Sequence, residues 1–197
     1  MQNILYFYNG ARLGKVAFAL LLSTVFSIFG TATAICQTSS NNPASAAQST
    51  SLSKADISFL KEAYQGGLYE VEVGKYAAAN GKASVVRDFG QQMATDHTAL
   101  NDKLAAVASK NGVTLDTEPT ALTTTKIKTA TVLSGTPFDK TYARMAVHDH
   151  KSDIKAFEKI AAETSNPELK AAVKDALPTL RHHLMMAKSA KATLAAS

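Results

Sequence analysis

"ASVVRDFGQQMATDHTALNDKLAAVASKNG", residues 83–112, is the stretch that decides the fold. Val86, Phe89, Met93, Leu100, Leu104 and Val107 recur at intervals of three, four and seven, which puts them on one face of an α-helix. Asn111-Gly112 is the expected stop signal. His97 falls inside the gap of the stripe, four residues after Met93 and three before Leu100. The spacing therefore predicts a helix over about 83–110 that carries an imidazole on its buried side.

The same period extends outward in both directions. From Asp56, the residues Leu60, Tyr64, Leu68, Val71 and Ala78 form a stripe, with Ala63, Gly67, Gly74 and Ala77 beside them as a small-residue face. Asn80-Gly81 closes this first helix. Residues 113–135 are Thr-rich, contain Pro119 and Gly135, and predict a long connection with a short helix around Thr124–Leu133. A third long helix, over 137–163, opens with Pro137 and has Tyr142, Ala146, Ile154, Phe157 and Ala161 on its apolar side. After "TSNPE" a fourth runs over 167–194 with Val173, Leu177, Leu180, Leu184 and Ala187; Pro178 inside it predicts a kink or a locally broken hydrogen bond. No segment alternates as a strand. The fold class is all-α. Two short turns and one long crossover between the second and third long helices predict a ferritin-like four-helix bundle of two helical hairpins, spanning 54–197.

Ahead of that domain the composition changes. Arg12 and Lys15 precede "VAFALLLSTVFSIFG", an uncharged run of the length of a secretory apolar region, and Ala32-Thr33-Ala34 offers a small-x-small cleavage site. Residues 1–34 read as a cleaved signal peptide, and the protein as exported to the periplasm or cell envelope. An uncleaved signal, or lipidation of Cys36, would tether it to the membrane instead; Ile35 stands where a lipoprotein signal has a small residue. Residues 35–53, rich in Ser, Thr, Asn and Ala, cannot bury enough surface to order themselves and read as a flexible tether. Cys36 is the single cysteine, so an exported domain must be held by its core and not by an intramolecular disulfide.

Of the 21 basic residues two lie in the first 34, which have no acid, against 16 acidic residues in the remainder. That small surplus, scattered without aromatic interleaving, does not point to nucleic acid. It is compatible with loose contact with an envelope or membrane surface. No Gly-x-Ser-x-Gly or phosphate-binding loop is present, so nucleophilic and hydrolytic catalysis have no motif to rest on.

The histidines are sorted by facing. His150 lies four residues after Ala146 and four before Ile154, and His183 three after Leu180, so both point inward with His97. His148 and His182 are turned about 200° and 100° from their inward neighbours and should be exposed. Counting residues from the turns puts the three inward rings at one depth, within roughly 4 Å for His150 and His183 at about 1.5 Å per residue. Glu70, on the small-residue face of the first helix, is the natural carboxylate to join them, although the same count leaves it roughly 9 Å off level. Asp96 and Asp149 precede inward histidines and diverge from them by about 100°. Asp96 is expected to orient a histidine of a neighbouring helix by accepting its ring N–H.

"LYEVEVGKYA", "FGQQMATDHT", "GTPFDKTYARMAVHDH" and "LPTLRHHL" resemble the motifs of the bacterial domain of unknown function 4142, regarded as ferritin-like. The likeness covers about residues 56–190 and recurs in all four long helices. It implies an exported four-helix domain with Glu70, Asp96-His97, Asp149-His150 and His183 at the motif positions. The chain departs from the pattern at Ala146, where Met is usual, and at His148. The resemblance carries no activity with it.

Two readings follow. In the first, Glu70, His97, His150, His183 and Asp149 bind a transition metal such as Cu, Zn or Fe. The two Glu-x-x-His motifs of di-iron bundles are missing, because Ala94, Val147 and Leu180 occupy the positions three before the histidines. Met93, Met145, Met185 and Met186 near the histidines would suit copper, or fill the core. In the second reading the His/Asp layer is purely structural, fixing helix register in a non-catalytic envelope interaction or stress-related module.

Overall fold

The computed structural model describes residues 51–196. The predicted signal segment, Cys36 and all but the last three residues of the predicted tether lie outside the described residues. Five helices and no strands are present among those described: α1 (Lys54–Asn80), α2 (Ser84–Lys110), α3 (Ala121–Ala130), α4 (Gly135–Glu163) and α5 (Pro167–Ala196). The all-α expectation holds. α1 packs on α2 and α4 on α5, with further packing of α2 on α5, α3 on α1 and α1 on α4, as in a bundle. None of these helices is long and apolar enough to cross a membrane.

The helix ends are fixed by particular side chains. Ser53 and Asp56 form a reciprocal capping box at the start of α1: the Asp56 N–H donates to Ser53 Oγ at 3.1 Å and the Ser53 N–H to Asp56 Oδ2 at 2.9 Å. The start of α2 has only Ala83 before it, which cannot cap. Asp139 of α4 instead fixes the turn that leads into α2, accepting from the N–H groups of Lys82 (3.1 Å) and Ala83 (2.8 Å). At the other end Gly112, at φ 69°, turns the chain out of α2 in the left-handed conformation that glycine tolerates best. Asn166 caps α5 by accepting from the Leu169 N–H at 2.8 Å and donates to Asn111 Oδ1 at 3.0 Å, joining the two chain reversals at this end.

Two details differ from expectation. The short helix α3 starts three residues earlier than predicted, because Thr120 caps it and Gln65 of α1 accepts from both Thr120 N–H (3.0 Å) and Thr123 Oγ1 (2.7 Å). These contacts hold the crossover against α1. α5 runs through Pro178 as one helix, so the absent N–H removes a hydrogen bond without dividing the element.

The core comes in two parts. One, near the α1–α2 turn, is built from Val73, Phe89, Met93, Phe138, Tyr142, Ala146 and Ala187, among others. The other, toward the opposite end, holds Leu60, Leu104, Phe157, Leu169, Leu177 and Leu180. On α2 the two are separated at His97, on α4 at His150, on α5 at His183 and on α1 near Glu70. A polar layer thus divides the two apolar clusters. Buried polar groups must find partners, so this layer is where chemistry is expected.

Candidate metal centre

His97, His150 and His183 are 2%, 0% and 0% exposed, and Glu70 is 8% exposed. His148 and His182 lie on the surface. The three buried rings form a near-equilateral group, with centroids 5.6 Å apart for His97–His150, 5.2 Å for His97–His183 and 5.3 Å for His150–His183. One ligand nitrogen from each lies within 4.8 Å of the other two. His150 Nε2 and His183 Nδ1 are 3.3 Å apart. Two nitrogens held at about 2.0–2.1 Å by a tetrahedral zinc would be separated by about 3.3 Å.

The outer nitrogens decide the proton arrangement. His150 Nδ1 is 3.0 Å from the carbonyl oxygen of Ala146, which can only accept, so the ring carries its proton there. His183 Nε2 is 2.8 Å from Asp96 Oδ2. Burial pushes the Asp96 carboxyl up, but hydrogen bonds from Gln92 and His183 outweigh it and hold the group below its usual range, so it is a carboxylate and takes the His183 proton. His150 Nε2 and His183 Nδ1 are then both lone pairs, facing each other across 3.3 Å. A cation between them would relieve that opposition. His97 fits the same scheme: its Nδ1 is 3.0 Å from Glu70 Oε2, off the direction of a good hydrogen bond, and its Nε2 has no partner. All three histidines thus turn one nitrogen to an oxygen atom, the usual outer arrangement of metal-bound imidazoles.

A second imidazolium proton is a poor way to fill the gap. Burial, with the neighbouring rings adding to it at His150 and His183, lowers the pKa of each ring to about 4 against the opposing pull of Asp96 and Glu70. At neutral pH the rings are neutral and available as ligands without displacing a proton.

The predicted depth mismatch of Glu70 does not exist in the fold. The turn residues between α1 and α2 add no helical rise, so the count belongs at the helix ends: Glu70 is ten residues before Asn80 and His97 thirteen after Ser84. The difference is about 4.5 Å. Side chains tilt toward the N-terminus of their own helix, which carries Glu70 away from the turn and His97 toward it, closing the rest. Glu70 meets the Nδ1 side of two rings, His97 at 3.0 Å and His150 at 3.6 Å. It therefore flanks the three-histidine group, in the way Asp96 flanks it at His183.

Asp149 is half-buried and belongs to neither group of mutually close ligand atoms among the described residues. Its one-residue offset from His150 turns it away. The acid on the right face is Asp153, one turn after His150, which forms a second close group with Glu70 and His150. Burial, with Glu70 and Asp149 adding to it, raises the Asp153 carboxyl to about 8, and burial raises Glu70 to about 7 against the pull of His150. The sequence signal for Asp153 is its (i, i+3) spacing after His150, the reverse of the di-iron pattern, in which the acid comes three residues before the histidine. The methionines do not assemble as copper ligands: Met185 is 62% exposed, and Met93, Met145 and Met186 pack with the core near the α1–α2 turn.

A cavity of about 140 Å³ leads to this layer between α1 and α4. Glu62, Gly66 and Ala156 form its exposed mouth, and Glu70, His97 and Asp153 lie along it farther in.

No curated protein and no solved structure matches the chain. The model of a family described as "Domain of unknown function (DUF4142)" matches residues 41–190.

Proposed function

Because the chain belongs to the DUF4142 family, whose description assigns no activity, we propose from its own residues that it is an exported metal-binding protein. The domain is a ferritin-like four-helix bundle, and it binds one transition-metal ion through His97, His150 and His183. Asp96 orients the His183 ring by accepting its outer N–H, and Glu70 lies beside His97 Nδ1 at 3.0 Å as the carboxylate next to that ring. Three neutral imidazoles suit Zn, Cu or Fe and leave a fourth position for water or an exogenous ligand. The hairpin pairs α1–α2 and α4–α5, joined through the long connection that contains α3, support the ferritin-like reading. The basic residues and apolar run of 1–34, with the polar segment 35–53, support export to the periplasm or cell envelope by a cleaved signal.

The observation that carries the metal reading is the pair of opposed lone pairs, His150 Nε2 and His183 Nδ1 at 3.3 Å, with both outer nitrogens committed as donors. The second reading, a structural layer, is favoured by the continuous path Ala146–His150–His183–Asp96 that ties α4, α5 and α2 together. It requires either one additional proton in a site that resists charge or a His150 tautomer whose bare Nδ1 faces the Ala146 carbonyl oxygen.

Titration of the metal-free full chain with zinc separates them. The metal reading expects one equivalent bound and a higher melting temperature, because a ligand at a thousand times its Kd adds about 4 kcal/mol to stability. No binding of Zn, Cu or Fe and an unchanged melting temperature would leave the structural layer.

A further inference from the structure

We propose that Glu70 and Asp153 form a second cation position, distinct from the three-histidine group, that takes a hard divalent ion from the cavity between α1 and α4. Glu70 has two oxygens with different surroundings. Oε2 lies on His97 Nδ1 at 3.0 Å, while Oε1 is 3.6 Å from His150 Nδ1, on the side where Asp153 joins the second close group. His150 Nδ1 donates to Ala146, so the ligands this position offers are carboxylate oxygens and water from the cavity.

The two carboxylates have no compensating cation. Among the described residues no lysine or arginine pairs with Glu70 or Asp153, although Glu70 is 8% exposed. The independent sign of a ligand is His97 Nδ1: the residue is 2% exposed and lines the same cavity, and this nitrogen, which the three-histidine group does not use, lies 3.0 Å from Glu70 Oε2 without an aligned hydrogen bond. Glu62 at the exposed mouth adds a further acidic group along the path, which favours cations over anions. Oxygen ligands select hard ions such as Mn²⁺, whereas the imidazole group selects Zn, Cu or Fe. The two positions differ in chemistry as well as in place.

The test is a Mn²⁺ titration of the full chain already loaded with one equivalent of zinc, read from the electron paramagnetic resonance signal of free Mn²⁺. One Mn²⁺ per chain is expected to bind. Asp153→Asn is expected to weaken it at least about tenfold, the loss seen when even an outer partner of a metal ligand is removed. The zinc equivalent should be unaffected in that variant. The proposal is overturned if zinc-loaded wild type binds no Mn²⁺, if Asp153→Asn binds it as tightly as wild type, or if zinc displaces it; a proton shared by the carboxylates would then occupy the place of the ion. Should zinc fail to bind, the same titration on the metal-free chain tests this position by itself. Asp153-dependent binding would uphold it, and its absence would overturn it.

Discussion

Alanine in place of His97 or His150 is expected to abolish zinc uptake at the three-histidine group, while alanine in place of His148 or His182 leaves it intact. The two sets have the same chemistry and sit on overlapping helices, so the contrast isolates geometry. His148 is two residues from His150 and His182 one from His183, yet both are on the surface. Loss of a direct ligand should weaken zinc by more than about a hundredfold, because partners outside the ligand shell alone are worth about 10–100-fold. Calorimetric titration of each variant reads the affinity, and circular dichroism checks that the helices remain. Equal loss from the exposed pair, or none from the buried pair, would remove the three-histidine group from the account.

The second large effect concerns the platform. At the crossing of α1 and α2, Gly74 and Gly90 allow the backbones to touch. A Cβ at Gly90 would stand 2.6 Å from the Gly74 carbonyl oxygen and 2.7 Å from both Ala77 Cβ and Ala78 N, none of which can swing aside. Helix propensity alone would make Gly90→Ala stabilising by about 1 kcal/mol. The expected result is the opposite sign: a net loss of about 1–3 kcal/mol for alanine and more for leucine, because the helices must part. Urea unfolding of the two variants measures it. The same separation would carry Glu70 away from His97, so metal affinity should fall with stability. An alanine variant as stable as wild type would mean that the crossing is looser than the backbone contacts imply.

Much of this arrangement is legible in the chain, for a physical reason. Helical periodicity converts residue spacing into angle, and angle alone separates His150 from His148 and His183 from His182. The stripe around His97 contains the same information. Depth along the bundle is less legible, because turn residues do not rise like helical ones and side chains lean toward their N-termini; a plain residue count therefore sets Glu70 out of level. Asp153 is a neighbour of His150 by spacing, but it follows the histidine, where the di-iron pattern has the acid before it. Asp139 is hidden for a different reason. Its hold on the turn before α2 depends on which turn α4 approaches, and no local pattern states that.

X-ray absorption of the zinc-loaded full chain reads whether three imidazole lone pairs converge on one ion. The expected spectrum is that of a shell containing three imidazole nitrogens at about 2.0–2.1 Å, with the outer-ring scattering that imidazole produces. Zinc surrounded by oxygen alone, or by fewer than three imidazoles, would contradict it.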